Sequence, residues 1–179
     1  EISAVYNPVT GEGCASVVRQ WVDIKGFPVE RLNLPATMFG SRKLEMLSTL
    51  GTEEYIRKVK GKEPTDRNII ALWLEFCLER IRHDFEYWAR TMTTISDKGK
   101  GRDTAFILNR PQRIYLKAME KLRQENRPID IILLKARQWG GSTLTQLYML
   151  WIQLVHKQNW NSVICGDIEK QSSIVAGML

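Results

Sequence analysis

The sequence lacks several features that mark whole classes of protein. No stretch approaches the roughly 18 consecutive apolar residues that a membrane-spanning helix needs. The three cysteines, Cys14, Cys77 and Cys165, are far apart and form no C-x-x-C pair, and the two histidines are distant from them and from each other. A disulfide framework or a zinc site is therefore not expected. No secretory leader is recognisable, so a cytoplasmic location is expected.

Acidic residues are scarce in one part of the chain. The whole sequence carries a net charge of +6, and residues 98–127 hold nine basic residues against three acidic ones. This local excess equals the charge of the entire chain. A basic face of this kind attracts nucleic acid or nucleotide phosphates through long-range attraction and counterion release. The alternative is an ordinary solvated helix surface. When the charge is the only evidence, this alternative is favoured over a binding face.

The first two thirds of the chain reads as mainly helical. Residues 1–40 are interrupted by glycine and proline, with room for one short amphipathic helix near residues 15–24. Residues 41–60 read as helix broken at Gly51, and a turn follows at residues 61–64. The strongest pattern predicts a single helix over residues 66–92, because apolar side chains recur there every three or four positions. We interpret its aromatic residues as core: Trp73, Phe76, Phe85 and Trp88.

The last third alternates between apolar runs and helical patterns. Residues 96–105 are glycine-rich and charged and predict a mobile loop, and a helix is expected over residues 110–126. The nearly continuous apolar run 129–134 predicts a buried parallel strand. A helix over residues 142–157, a strand over 161–167 and a helix from 169 onward follow. This order is the opening of a doubly wound α/β sheet.

A glycine turn joins the apolar run to the next helix in the manner of a phosphate-binding loop. The usual loop reads G-x-x-x-x-G-K-[ST], and residues 135–142 read KARQWGGS. The second glycine is Gly140 and the hydroxyl residue is Ser142, but Gly141 occupies the place of the lysine. The positive charge stands instead at the start of the loop, on Lys135.

Such a loop can still bind phosphate. Backbone N–H groups and a helix N-terminus supply most of the contacts, and Gly140 and Gly141 permit the backbone to approach closely. Ser142, with Thr143 beside it, offers a hydroxyl to a magnesium ion, and Arg137 adds a forked donor. A strand–glycine–helix turn is also common for packing reasons alone. On these grounds nucleotide binding is favoured over a purely structural turn.

The segment LLKARQWGGSTLTQ (133–146) resembles the deviant Walker A segment of tailed-bacteriophage terminase large subunits, the ATPases that pump DNA into procapsids. In some of these motors the signature lysine stands at the start of the loop, as Lys135 does. The family often has the tripeptide ARQ or SRQ after that lysine, and this chain has ARQ there, which includes Arg137 and Gln138. FILNRPQR (106–113) resembles the segment in which a glutamine, here Gln112, contacts adenine. The resemblance covers roughly residues 84–179 and leaves residues 1–65 without a match.

This resemblance implies a RecA-like P-loop ATPase domain from residue 128, after a helical region over 1–95 and a basic linker with a helix over 96–127. It implies ATP and Mg²⁺ as cofactors. Lys135 and Arg137 would be catalytic, Arg137 sensing the γ-phosphate, and Ser142 would contact the metal. The implied nucleotide contacts are Gln112, Lys135, Gln138, Gly140, Gly141, Ser142 and Thr143.

The resemblance also implies partners: double-stranded DNA, the portal protein and the small terminase subunit, inside a bacterial host cell or from a prophage. For Gln112, a surface amide at a helix start is an equal alternative. We interpret Trp139 as a packing residue.

Two parts of such a motor are absent from the sequence. No apolar run ending in Asp-Glu follows residue 142. Asp167 and Glu169 follow the second predicted strand, which is not where the metal-binding aspartate is expected in this fold. An acidic nuclease cluster is absent too. We therefore expect an amino-terminal piece of a longer protein, inactive alone. Residues 129–179 would then expose a sheet edge and either self-associate or be arranged differently from the intact motor.

Two other readings stay open. In the first, residues 41–126 form a non-catalytic helical module that binds DNA or a partner protein, and the glycine loop is structural. In the second, the chain is another P-loop enzyme, helicase-like or a nucleotide kinase. The displaced lysine and the upstream glutamine argue against the kinase.

Overall fold

The computed structural model describes residues 6–13, 16–97, 101–134, 139–157, 159, 161–163 and 165. The chain divides into two compact units, Glu1–Ile129 and Asp130–Leu179. Within the described residues the chain is mixed α/β, with two separate two-stranded antiparallel sheets.

The first unit begins with a β-hairpin. Strand β1 (Arg19–Asp23) pairs antiparallel with β2 (Arg31–Pro35), with Val22 opposite Leu32. The short helix expected near residues 15–24 is therefore wrong. The β2 side chains alternate: Leu32 and Leu34 are fully buried, whereas Arg31 is exposed and Asn33 is half-buried. That period of two fits a strand with one face on a core.

Two short helices and a longer one complete the core. Helices α1 (Arg42–Leu50) and α2 (Thr52–Lys60) meet at Gly51, as expected, where the backbone has φ 77°. Helix α3 (Asp66–His83) packs Phe76 and Trp73 edge-on to Phe27, with ring centroids 5.3 Å apart in both pairs. The aromatic residues of this helix are thus core, as predicted. The buried members of the cluster are Val22, Ile24, Phe27, Leu32, Leu34, Met38, Leu44, Leu47, Tyr55, Ile56, Leu72 and Phe76.

The long helix predicted over 66–92 is two helices. Asp84 is extended (φ −122°, ψ 91°), and α4 (Phe85–Met92) starts after it. The Asp84 side chain accepts a hydrogen bond from the Tyr87 N–H at 3.2 Å, which makes it the N-cap of α4. The spacing of apolar residues does not reveal this break, because Phe85 and Trp88 in α4 continue the three- and four-residue spacing of α3.

The expected loop 96–105 is largely a second hairpin. Strand β3 (Thr94–Asp97) pairs antiparallel with β4 (Arg102–Ala105), and residues 98–100 lie outside the described residues. Helix α5 (Arg110–Gln124) follows, within two residues of its expected end.

In the second unit, helix α6 (Gly141–Trp151) continues as a π-helical turn, Ile152–His156, close to the helix expected over 142–157. The predicted strand 129–134 is wrong: these residues are in no strand, and Ile132 and Leu134 are 94% and 97% exposed. Of the predicted strand 161–167, the described residues 161–163 and 165 are not in a strand. An apolar run becomes a buried strand only where neighbouring strands pair with it. The mixed α/β class is therefore present, and a RecA-like sheet is not confirmed.

Candidate functional site

The candidate site is the start of helix α6. Gly140 stands just before the helix in the left-handed conformation (φ 78°, ψ 22°), and its carbonyl accepts the Leu144 N–H at 3.1 Å. Gly141 is buried, whereas Ser142 is exposed. The first N–H groups of any α-helix have no acceptor within the helix. A left-handed glycine followed by a helix directs these groups toward whatever lies beyond the turn.

Helix α6 begins differently from the other five α-helices of the described residues. Helices α3, α4 and α5 have a capping side chain, supplied by Thr65, Asp84 and Asn109. Helices α1 and α2 lack such a cap but have glutamates in the first turn. Only α6, within these ranges, has neither a side-chain cap nor an acidic residue in its first turn. Its positive N-terminal end is therefore not neutralised by its own first turn.

The Trp139 ring explains why residue 141 is a glycine. A Cβ atom on Gly141 would lie 2.6 Å from Cζ2, 3.0 Å from Cε2 and 3.1 Å from Cη2 of the indole. Distances under 3 Å are shorter than two carbon atoms tolerate, so any side chain at 141 requires the ring to move. The lysine of an ordinary phosphate loop has no room at this position while Trp139 stays where it is. The interpretation of Trp139 as packing agrees with this contact.

The remaining loop residues differ in how much the structure says of them. Lys135, Arg137 and Gln138 lie outside the described residues, as do Asp167 and Glu169. Thr143 is half-buried on the first turn of α6. Thr145 donates its hydroxyl to the Gly141 carbonyl at 2.9 Å, which ties the first turn of the helix together.

Gln112 is a structural part of the α5 start. Its Oε1 accepts the Asn109 N–H at 2.9 Å, and the Asn109 Oδ1 accepts the Gln112 N–H at 3.0 Å. This reciprocal pair is a capping box, and Gln112 is only 4% exposed. An adenine contact by Gln112 would compete with this cap.

The five basic residues of α5 divide into two that pair with a glutamate, Arg113 and Arg123, and three that are exposed. Arg113 is 1% exposed and donates from Nε to the Glu86 Oε1 at 2.8 Å. Arg110, Lys117 and Lys121 are exposed, at intervals of seven and four residues. These intervals place the three on one side of the helix. The basic character deduced from the sequence is therefore real on this face, but Arg113 is not part of it.

A buried charged cluster, which the sequence analysis missed, joins α3, α4 and α5 to the amino-terminal segment. Arg19 donates from both Nη atoms to Asp84, at 2.8 and 2.9 Å. Arg80 donates from Nε to Asp84 at 3.3 Å and from Nη2 to the Tyr6 hydroxyl at 3.0 Å. The Tyr6 hydroxyl in turn donates to Asp84 at 3.1 Å.

A second carboxylate completes this cluster. Glu86 accepts the Ser16 hydroxyl at 2.8 Å as well as the bond from Arg113, and both charged side chains of that pair are at most 2% exposed. Buried charges cost much free energy unless each finds a partner, so these pairings hold six segments of the first unit in one arrangement.

Burial and neighbouring charge shift these groups in opposite directions. Burial acts to raise the pKa of Asp84, but the charge and hydrogen bonds of Arg19, together with Arg80, outweigh it and lower the pKa to about 2. Burial raises the pKa of Glu86, and the bonds from Arg113 and Ser16 only partly offset this. Burial also raises the pKa of Tyr6, and the Asp84 charge adds to that rise.

One signal in the sequence points to the cluster. Leu72, Phe76 and Arg80 are spaced four residues apart, and all three are buried on one side of α3. A charged residue in phase with an apolar stripe indicates a paired charge in the core. Arg19, Ser16 and Tyr6 carry no comparable local signal, because their pairing is set by the hairpin.

The opposite side of α3 carries exposed apolar residues. Ile70, Leu74 and Leu78 are 55%, 57% and 64% exposed and are spaced four residues apart. They form an apolar stripe a little over two turns long.

Among the described residues, no group of three His, Cys, Asp or Glu side chains is placed to hold a metal ion, and Cys77 and Cys165 are free thiols. No helix in that part of the chain is both long and apolar enough to cross a membrane. In comparisons with known proteins, no family model, no curated protein and no solved structure matches this chain.

Proposed function

We propose that the chain binds ATP with Mg²⁺ at the start of α6, as the amino-terminal part of a DNA-packaging motor of the terminase large-subunit type. The observation that supports this is the α6 start: a left-handed Gly140, a buried Gly141 and no capping or acidic side chain in the first turn. An unneutralised helix start of this kind attracts phosphate.

Each residue of the loop has a role in the proposal. Gly140 and Gly141 let the backbone turn its N–H groups toward the phosphates, and Ser142, exposed beside them, presents its hydroxyl to Mg²⁺. Lys135 supplies the positive charge that Gly141 cannot, and Arg137 senses the γ-phosphate. Gln138 and Thr143 complete the loop. Bound Mg²⁺ would neutralise the phosphate oxygens and so favour transfer of the terminal phosphoryl group.

The larger assembly follows from the same proposal. Double-stranded DNA would be the substrate that is moved, and the portal protein and the small terminase subunit would be the protein partners. The carboxylates for water activation and the nuclease would belong to a longer chain. The 179-residue chain would bind nucleotide without turnover.

Calorimetry with a non-hydrolysable ATP analogue and Mg²⁺ tests the proposal. Lys135→Ala should weaken binding by about ten- to a hundredfold, since a hydrogen bond to a charged group contributes about 1.5–3 kcal/mol. Lys117→Ala, an exposed lysine of α5, is the matched control and should bind as the parent chain does. Equal affinity of the Lys135→Ala variant and the parent would contradict the proposed role of Lys135. Absence of binding to the parent chain, folded by circular dichroism, would contradict nucleotide binding altogether.

A second candidate function is favoured by the exposed basic side of α5. Arg110, Lys117 and Lys121 lie on one side of that helix and suit contact with a nucleic-acid backbone. This reading predicts salt-dependent DNA binding that survives Lys135→Ala. Lys117→Glu should weaken it, whereas Lys62→Glu, an exposed lysine before α3, should not. Arg113 is unsuitable for this test because it is buried against Glu86. Equal DNA affinity of the Lys117→Glu and Lys62→Glu variants would remove this candidate.

A further inference from the structure

The exposed side of α3 combines an apolar stripe with charged residues in a regular order. The stripe consists of Ile70, Leu74 and Leu78, which are more than half exposed. The buried residues Leu72 and Phe76 lie on the opposite side of the helix, so the stripe faces away from the core. Single exposed apolar residues are ordinary, but a contiguous row of them on one helix face is typical of an interaction surface.

The row of residues that contains this stripe is self-complementary. Four residues before Ile70 stands Asp66, four residues after Leu78 stands Arg82, and both are exposed. Within the described residues neither of these two side chains has an ion pair. Leu74 is the centre of the row, with one apolar residue on each side and opposite charges at the two ends. When two such rows run in opposite directions, each acid meets a base and each apolar residue meets another.

The rules of helix packing allow this alignment. Two helices whose rows of residues four apart lie along each other cross at about 50°, which is the commonest crossing in globular proteins. A two-fold axis at Leu74 then places Ile70 opposite Leu78 of the second copy. It places Asp66 opposite Arg82 of the second copy. Every contact occurs twice, because a two-fold interface uses the same surface of both copies.

The neighbouring row obeys the same symmetry. It contains Arg67, Ala71 and Glu75, all exposed. Reversal about Ala71 places Arg67 opposite Glu75 of the second copy, and the small side chain at the centre lets the helices approach closely. Within its own chain the Glu75 carboxylate already pairs with Lys60 at 2.8 Å, so Arg67 of the second copy joins an existing ion pair. Like charges are therefore not brought together in either row.

We propose that the face of α3 formed by these two rows is a docking surface for a second copy of this chain, with the two α3 helices antiparallel. The charge pattern selects this occupant, because acid and base exchange places about Leu74. One helix face buries less than the roughly 800 Å² per partner of a standard interface, so the dimer is weak, with a Kd of roughly 10 μM to 1 mM. The inference concerns the first unit and does not depend on nucleotide binding.

Leu74→Glu tests the centre of the surface. The substitution brings two carboxylates together at the two-fold axis and removes an apolar contact, so self-association should weaken by about a hundredfold or more. Ile114→Glu is the matched control, since Ile114 of α5 is 54% exposed, and it should leave self-association unchanged. Sedimentation equilibrium from about 1 μM to about 1 mM measures the dimer, and circular dichroism checks that each variant is folded.

Charge reversal tests the antiparallel direction. Asp66→Arg and Arg82→Asp each bring like charges together at both ends of the row, and each should weaken self-association about tenfold. An equimolar mixture of the two variants should dimerise as the parent chain does, because every acid in the mixed dimer again faces a base. Lys117→Glu, an exposed lysine of α5, is the control for a change of net charge. A purely structural effect of either substitution on α3 would not be reversed by mixing.

Each result decides the proposal. Dimerisation of the parent chain, its loss in Leu74→Glu and its recovery in the mixture are the expected outcome. A parent chain that stays monomeric at about 1 mM means that a second copy does not occupy this face, and a dimer that persists in Leu74→Glu means that the copies meet elsewhere. Either result overturns the docking surface. Failure of the mixture to associate more tightly than the separate variants overturns the antiparallel pairing.

Discussion

The first backbone N–H groups of α5 and of α6 have no acceptor within their own helix, and the residues at the two helix starts differ. At α5, Asn109 and Gln112 exchange hydrogen bonds in a capping box. Arg113, in the first turn of the same helix, is paired with Glu86. At α6 a glycine takes the capping position, and the first turn has no acidic residue. The polar groups around α5 are occupied by the protein itself. This difference is the reason that the proposed phosphate site is placed at α6 rather than at α5.

The largest expected effect is loss of the Arg113–Glu86 pair. Arg113→Ala leaves the Glu86 carboxylate buried without its closest cation, which should lower the free energy of unfolding by about 3–5 kcal/mol. Lys117→Ala, one turn further along the exposed side of α5, should change it by less than about 0.5 kcal/mol. Urea denaturation followed by circular dichroism measures both. A similar loss of unfolding free energy in the two variants would mean that the Arg113–Glu86 pair does not stabilise the fold more than an exposed lysine does.

A smaller effect concerns pH. The pKa of Asp84 is lowered from 3.8 to about 2, so its contribution to stability is present above pH 4 and is lost as the pH falls toward 2. The loss should be about 2 kcal/mol. The raised pKa of Glu86 acts in the opposite sense, since its contribution is present at low pH and is lost as the pH rises.

Asp84→Asn isolates the first of these two contributions. The variant should be less stable than the parent at pH 7, and the difference should shrink as urea denaturation is repeated at falling pH. A difference that stays constant from pH 7 to pH 2 would show that the Asp84 ion pairs do not carry this pH dependence.

The smallest effect compares the two helix starts directly. Asn109→Ala removes a capping side chain and should destabilise α5 by about 1 kcal/mol. Ser142→Ala removes an exposed hydroxyl that caps nothing in the described residues, so α6 should change by less than about 0.5 kcal/mol. Hydrogen exchange of the amides in each helix separates the two. Equal losses of amide protection in α5 and α6 would show that the side chain at the start of α5 stabilises its helix no more than Ser142 stabilises α6.

Prediction from the sequence succeeded where the signal is local. The periodicity of apolar residues indicated α1, α2, α5 and α6, and Gly51 marked a real break between helices. The helix start after Gly140 was likewise visible from glycine and hydroxyl residues alone.

Prediction failed where pairing between distant segments decides. Strand β1 forms because β2 pairs with it, and the run 129–134 stays out of a sheet because no described strand pairs with it. The Asp84 break and the buried cluster depend on Arg19, which is 65 residues away in sequence. No pattern within a short window contains such information. Residue type indicates only that Gly140 and Gly141 can take unusual backbone angles; the positive φ at Gly140 and the ring beside Gly141 are visible in the coordinates alone.

The contact between Trp139 and Gly141 makes the two positions interdependent. A side chain at 141 becomes possible only when residue 139 is small or turned away, so Gly141→Lys should be tolerated together with Trp139→Ala and resisted without it. In related sequences, a lysine at 141 should therefore appear with a smaller residue at 139. A substitution at one of the two positions therefore limits which residues the other position can accept.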